Sequence, residues 1–97
     1  MARYIILCKF TQQGITSVKE SPKRLEAAKA AFKAYGAELK EFYLTMGRYD
    51  MIVVAEAPND EVVGKLALAV GSLGNLSTET IRAFTEAEYR NIIAGLP

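Results

Sequence analysis

The side chains best suited to chemistry lie in residues 42–50 of this chain. Tyr43 and Tyr49 supply phenol groups, Thr45 a hydroxyl and Asp50 a carboxylate, all of which hydrogen-bond to ligands or to the protein itself. The segment holds no nucleophile beside a base and no set of metal ligands. Its residue types therefore indicate ligand contacts or structural hydrogen bonds, and they identify no catalytic residue.

The composition excludes several classes of function. The chain has no histidine, which removes the usual general base at neutral pH and the commonest metal ligand. Twelve basic and eleven acidic residues give a net charge of +1, so we expect no nucleic-acid partner. We predict no metal and no cofactor.

The N-terminal residues and the single cysteine bear on location. The apolar run after Arg3 is too short for a signal-peptide core or a membrane span. Cys8 cannot form an internal disulfide, and its apolar flanks predict a small buried side chain. We therefore expect a cytoplasmic protein without a membrane partner.

Periodicity and turn residues predict seven elements in a single domain of residues 1–97. The predicted order is a strand at 3–10, a polar loop at 11–20 with a turn at Gly14, a helix from Ser21 as N-cap to Gly36, a strand from 38, a turn at 46–48, a strand at 49–57, a helix from Asn59 or Asp60, a strand at 76–84 and a helix that Thr85 and Glu88 start with a capping box. This is the α+β, ferredoxin-like βαββαβ order with a short C-terminal helix and an antiparallel four-stranded sheet, whose first and third strands lie in the middle.

Both long helices are predicted to bury an apolar stripe, and the first also carries lysines. The first stripe contains Leu25, Ala28, Phe32 and Tyr35, and the second contains Val62, Val63, Leu66, Ala69, Val70 and Leu73. The lysines of the first helix are interpreted as a solvated face rather than an anion-binding one. Arg24 and Lys19, at the entry to that helix, are weak candidates for binding a carboxylate or phosphate.

The sheet is expected to need a second copy of the chain. Two helices cover only one face, and strand alternation places Ile52 and Val54 on the face opposite Tyr49, Met51, Val53 and Ala55. A four-stranded face measures roughly 550 Å² from ordinary strand spacings, at the upper end of what monomers leave exposed. We therefore predict a homodimer, or a larger assembly of dimers, in the form of a dimeric α/β barrel.

Six residues are the ligand-binding candidates, placed at the mouth of that barrel. They are Tyr43, Thr45, Tyr49, Asp50, Glu79 and Arg82, with Glu41 beside them. The aromatic and polar members either line a small-ligand pocket or pack across the dimer. Asp50 is interpreted as structural, accepting from turn amides near Gly47 or pairing with Arg48 or Arg82.

Four separated motifs resemble the GYD family, named for its Gly, Tyr and Asp. The central one, from Phe42 through Gly47-Arg48-Tyr49-Asp50, is followed by Glu56-Ala57-Pro58-Asn59-Asp60. The other similar stretches are Thr11-Gln12-Gln13-Gly14, Ser21-Pro22-Lys23-Arg24 and residues 74–84. The resemblance implies a dimeric α/β barrel from a family of small bacterial proteins without an established activity. Asn59 departs from the acidic residue more common there, although Asn also caps helices well.

Two hypotheses of function follow. The first is a homo-oligomeric module that binds a small ligand or has a structural role, supported by the apolar sheet face. The alternative is a cofactor-independent enzyme acting on a small aromatic or carbonyl compound, with Tyr49 or Tyr43 as proton donor and Arg82 or Glu79 as its partner. A free tyrosine, with a pKa of about 10, is a poor acid–base catalyst at neutral pH unless its site shifts that value.

Overall fold

The computed structural model describes all residues from 1 to 97 and places four strands in one antiparallel sheet. Strand β1 is Ala2–Phe10, β2 is Glu38–Leu44, β3 is Met51–Ala57 and β4 is Leu76–Ala83. Their order across the sheet is β2-β3-β1-β4, with β1 and β3 central. The predicted α+β fold and its strand order are confirmed.

Four helices accompany the sheet. They are α1 at Gln12–Thr16, α2 at Ser21–Ala34, α3 at Asp60–Ser72 and α4 at Glu86–Ala94, with one turn of 3-10 helix at Val18–Glu20 before α2. Asn59 caps α3 by accepting from the Val62 amide, and Thr85 and Glu88 form the predicted capping box of α4. None of these helices is long and apolar enough to cross a membrane.

Two expectations about residues 11–21 are wrong. The stretch around Gly14 is not a loop but α1, because the Thr11 hydroxyl accepts the Gly14 amide at 3.1 Å and starts a helix. Ser21 is not an N-cap either. Its amide donates to the Val18 carbonyl and its backbone is already helical, so Glu20 takes the cap position without a side-chain bond.

The predicted helix stripes extend too far at their C-terminal ends. Tyr35 is 50% exposed and Leu73 is 65% exposed, and each lies at the C-cap position of its helix. Phe32, Val63 and Leu66 are the helical residues that reach the buried core. Gly36 follows α2 with φ +77°, the left-handed conformation predicted for a helix stop.

The two faces of the sheet have different surroundings. Alternate residues of β1 and β3 are buried beneath α2 and α3: Tyr4, Ile6, Cys8, Met51, Val53, Ala55 and Ala57. We call this the covered face. The intervening residues form the open face, which no helix of the chain covers, and its apolar members are Ile5, Leu7, Ile52, Val54 and Ile81. Burial of Cys8 also confirms its predicted character.

Helix α4 extends from the domain rather than packing on it. None of its residues is buried, and its hydrogen bonds and ion pair stay within residues 85–96. Its apolar side chains, Tyr89, Ile92 and Ile93, are 48–58% exposed. An amphipathic helix of this kind lacks its packing partner within one chain.

Candidate functional site

The connection between β2 and β3 is longer than the predicted turn. Residues 45–50 join the strands, and the Thr45 amide donates to the Asp50 carbonyl at 2.8 Å. The Thr45 hydroxyl donates to the Tyr49 carbonyl at 2.7 Å and closes the loop a second time. Gly47, between them, has φ +122°, which few side-chain-bearing residues adopt. Thr45 therefore has a structural role here.

Asp50 holds the end of β1. Its amide donates to the Cys8 carbonyl at 2.9 Å, and its carboxylate accepts the Phe10 amide at 2.8 Å. At the end of the β1–β3 pair, the carboxylate thus accepts the Phe10 amide in place of a backbone carbonyl. This agrees with a structural role, but the predicted partners are wrong: the acceptor bond comes from β1, not from turn amides, Arg48 or Arg82.

Tyr49 reaches across the open face. Its hydroxyl donates to Glu79 on β4 at 2.6 Å, and the Lys9 ammonium lies 5.8 Å from the centre of its ring. The sequence-based expectation that Tyr49 shares a face with Met51 is wrong, because β3 begins only at Met51 and strand alternation does not extend back into the loop. Tyr49 and Glu79 are the two candidate side chains that the fold brings together.

Tyr43 forms a separate pair at the other edge. Its hydroxyl donates to Glu41, two residues back on β2, at 3.1 Å. Three strand spacings separate β2 from β4, so the two tyrosine–glutamate pairs are roughly 14 Å apart. The open face therefore carries two polar pairs flanking an apolar centre, not one convergent cluster.

Arg82 lies on the wrong face for the predicted cluster. It pairs with Tyr4 in the β1–β4 register and lies three positions after Glu79, so the two side chains project to opposite faces. The guanidinium stacks 4.4 Å from the Phe84 ring and 5.6 Å from the Tyr4 ring. It also donates to the carbonyls of Arg3 and Ala83. Arg82 thus belongs to a structural cluster beside the covered face.

The pKa shifts of the open-face tyrosines oppose proton transfer. The hydrogen bond to Glu79 raises the pKa of Tyr49, and the bond to Glu41 raises the pKa of Tyr43. Both phenols already have pKa values far above neutral pH. A further rise makes each one a weaker acid, and deprotonation is opposed by the adjacent carboxylate.

Arg24 binds the short helix α1. Its guanidinium donates to the Gly14 carbonyl and to the carbonyl and hydroxyl of Ser17, each at 3.2 Å. Positive charge at the C-terminal end of a helix is favourable, and these bonds satisfy carbonyls that the helix leaves free. Lys19 lies in the exposed 3-10 turn and is not joined to Arg24.

The motifs at 11–14 and 74–75 meet in space. The Thr11 amide donates to the Asn75 carbonyl at 3.1 Å, and Gln13 donates to the Asn75 side chain and the Leu73 carbonyl, both at 3.0 Å. A Cβ on Gly14 would come within 2.0 Å of the Asn75 carbonyl oxygen. Glycine is required there by a close backbone approach, a reason that its sequence context does not reveal.

An apolar concave feature lies on the covered face, away from the predicted candidates. A partly open cavity of about 210 Å³ lies between that face, α2 and α3. Sequence reasoning missed it, because its walls consist of residue types that normally form a solid core. No three acidic or cysteine side chains of the chain converge to hold a metal ion.

Comparison with known proteins places this geometry among related folds. The chain is 27% identical over 89 residues to a Thermus thermophilus protein named glutamine synthetase and cystathionine beta-lyase binding protein, with 91% of this chain and 94% of that protein covered. In fold it resembles a feast or famine regulatory protein from M. tuberculosis, solved in complex with L-methionine, with a TM-score of 0.67 at 12% identity. That match covers 88% of this chain, which spans about half (51%) of the regulatory protein.

The fold also matches a second solved structure, over the whole length of that protein. The protein FFRP-DM1 matches 87% of this chain over 100% of its own length, with a TM-score of 0.62 at 20% identity. At these identities both likenesses concern the fold, which is the ferredoxin-like arrangement described above. The GYD domain model matches residues 4–93, which include most of β1, the other three strands and nearly all of α4, and the chain therefore belongs to the GYD domain family.

Proposed function

We propose that this protein is a homodimeric ligand-binding module in which two chains pair through their open sheet faces. The observation that carries the proposal is the open face itself. Five apolar side chains, Ile5, Leu7, Ile52, Val54 and Ile81, form its centre with no helix of the chain above them. Charged residues surround this centre, as at many protein interfaces.

The expected energy of pairing is comparable with the cost of association. Burying roughly 300 Å² of apolar sheet per chain at about 25 cal/mol/Å² contributes on the order of 7 kcal/mol from each partner. Association costs about 4–15 kcal/mol, so the two contributions together offset much or all of it. Helix α4 adds to the proposal, since its exposed Ile92 and Ile93 gain a packing surface only from another molecule.

Binding is favoured over catalysis by the polar pairs of the open face. Each phenol is hydrogen-bonded to a carboxylate that raises its pKa, so neither is suited to donate or accept a proton at neutral pH. The Thermus relative is named as a binding protein, and the regulatory protein of similar fold was solved with methionine bound. Both relatives support a binding role without identifying a ligand for this chain.

The dimer is tested by multi-angle light scattering on the parent chain and on Ile52→Glu. We expect the parent to have twice the chain mass at micromolar concentration, and Ile52→Glu to have the mass of one chain, because pairing would bury two like charges at the centre. Leu68→Glu is the matched control, since Leu68 is an exposed residue of α3. A monomeric parent would contradict the proposal, as would an Ile52→Glu variant that remains dimeric.

A further inference from the structure

The cavity beneath α2 and α3 is partly open to solvent. Its volume of about 210 Å³ is larger than one water molecule needs. An engineered apolar cavity of about 150 Å³ holds benzene. The space therefore accommodates one ring with a short chain, or a branched chain of similar volume.

The walls of the cavity are largely apolar. Fifteen of its nineteen lining residues are hydrophobic, and they come from all four strands and both long helices. Phe10, Phe32 and Phe42 supply aromatic surface, while small residues, Cys8 and Ala28 among them, leave the space unfilled. Such walls favour an uncharged hydrocarbon body.

The remaining four lining residues lie toward one end of the cavity. They are Ser21 and Arg24 at the start of α2, and Asn75 and Thr78 at the start of β4. Arg24 and Asn75 are linked through Gly14, whose carbonyl accepts from Arg24 at 3.2 Å and whose Cα packs against the Asn75 carbonyl. Side chains with hydrogen-bond donors thus lie at one end of the cavity, while nearly all of its inner surface is apolar.

These donors retain bonding capacity. Arg24 bonds only to neutral oxygens through its two terminal nitrogens, so its Nε is free, and it takes part in none of the five ion pairs of the chain. Asn75 accepts from Gln13 at Oδ1, which leaves its amide nitrogen without a partner. The half-buried guanidinium therefore lacks an acidic counterpart.

No acidic residue lines the cavity. A ligand carboxylate would gain charge-assisted bonds from Arg24 and Asn75. A ligand ammonium would lose hydration without gaining a partner. The arrangement therefore distinguishes a carboxylic acid from the amino acid of the same side chain.

We propose that this cavity binds a small apolar monocarboxylate, with the hydrocarbon body between α2, α3 and the covered face and the carboxylate at Arg24 and Asn75. The inference rests on the ligand-binding role proposed above and adds its site and its chemical class. It places the ligand on the face opposite the dimer interface.

Calorimetric titration with three matched probes tests the chemistry on the parent chain. They are 3-phenylpropanoate, 3-phenylpropan-1-ol, which lacks the charge, and L-phenylalanine, which adds an ammonium. We expect 3-phenylpropanoate to bind at least about tenfold more tightly than either of the others, the scale of one charge-assisted hydrogen bond. Equal affinity for all three, or no binding of 3-phenylpropanoate, would overturn the proposal.

Two pairs of variants locate the binding. Ala28→Phe fills the cavity and should abolish binding of 3-phenylpropanoate while the fold is retained, whereas Ala30→Phe, on the exposed side of α2, should leave it unchanged.

Arg24→Gln should weaken binding at least about tenfold, and Arg24→Lys should restore part of it by keeping the charge. If Arg24→Gln does not fold, the alcohol probe still measures the contribution of the carboxylate. Unchanged binding in Ala28→Phe would place the site elsewhere.

Light scattering on the same samples separates this proposal from the dimer. A dimer that binds none of the probes would overturn the cavity site and leave the proposed self-association intact. A monomer that binds 3-phenylpropanoate and loses it in Ala28→Phe would overturn the dimer and support the cavity. Failure of the cavity proposal and failure of the dimer proposal thus give different results.

Discussion

The covered and open faces of the sheet are built from alternate residues of the same strands, yet one chain completes only the covered face. Met51, Val53 and Ala55 are buried under α2 and α3, whereas Ile52 and Val54 between them have no helix above them. The covered face lines a cavity, and the open face carries an apolar centre between two polar pairs. A single pattern of alternation thus supplies both a core and the proposed interface.

The sharpest test of this comparison introduces the same charge on each face. Val53→Asp places a carboxylate in the core without a partner and should lower the free energy of unfolding by about 4 kcal/mol or prevent folding. Val54→Asp, one residue further, should keep the fold and dissociate the dimer. Circular dichroism during urea unfolding measures the first effect and light scattering the second. Similar stability of both variants at low concentration would remove the distinction between the faces.

A second prediction concerns the backbone contact between Gly14 of α1 and Asn75, just before β4. Gly14→Ala should lower the free energy of unfolding by about 2–3 kcal/mol, because the added Cβ would lie 2.0 Å from the Asn75 carbonyl oxygen. Gly64→Ala is the matched control. Gly64 lies in α3 with open space around it, so the same substitution should stabilise the protein by about 0.5–1 kcal/mol. A Gly14→Ala variant as stable as the parent would show that α1 is displaced at little cost.

The roles of Tyr49 and Asp50, in the connection between β2 and β3, are tested by Asp50→Ala and Tyr49→Phe. Asp50→Ala leaves the Phe10 amide without its acceptor and should cost about 1–3 kcal/mol. Tyr49→Phe removes only an exposed hydrogen bond to Glu79 and should change stability by less than about 0.5 kcal/mol. Urea unfolding of both variants checks the difference. Equal stability of the two would mean that Asp50 does not hold the end of β1.

Elements with a local cause were predictable from the sequence. The capping box at Thr85 and Glu88, the cap at Asn59 and the left-handed Gly36 each depend on residues within one turn. The assignment of Ile52 and Val54 to the open face follows from strand alternation once β3 is recognised. The fold and its strand order follow from these local signals together.

The arrangement of the candidate site depended on contacts that sequence spacing does not encode. Gly14 and Asn75 are 61 positions apart, and only the fold shows that their backbones touch. Tyr49 was assigned to the wrong face because alternation was extended beyond the first residue of β3. The face of Arg82, by contrast, follows from its odd separation from Glu79. The cavity had no sequence signal, since apolar residues around a void are the same types that fill a core.

The smallest predicted effect concerns α4, which extends from the domain instead of covering a face. The Thr85 amide donates to the Glu88 carboxylate at 2.8 Å, and this bond lowers the pKa of Glu88 below its ordinary value. A lowered folded-state pKa contributes stability above the ordinary pKa and loses it as the pH falls through the folded value. We therefore expect the first turn of α4 to lose helicity as the pH is lowered from about 5 through the folded-state pKa of Glu88, measured by carbon chemical shifts of residues 86–94. Glu88→Gln can keep the capping bond without the charge, and its helicity should not change over this range. Identical profiles for parent and variant would mean that the Glu88 charge does not stabilise this helix, which would then depend on its proposed packing against a second chain.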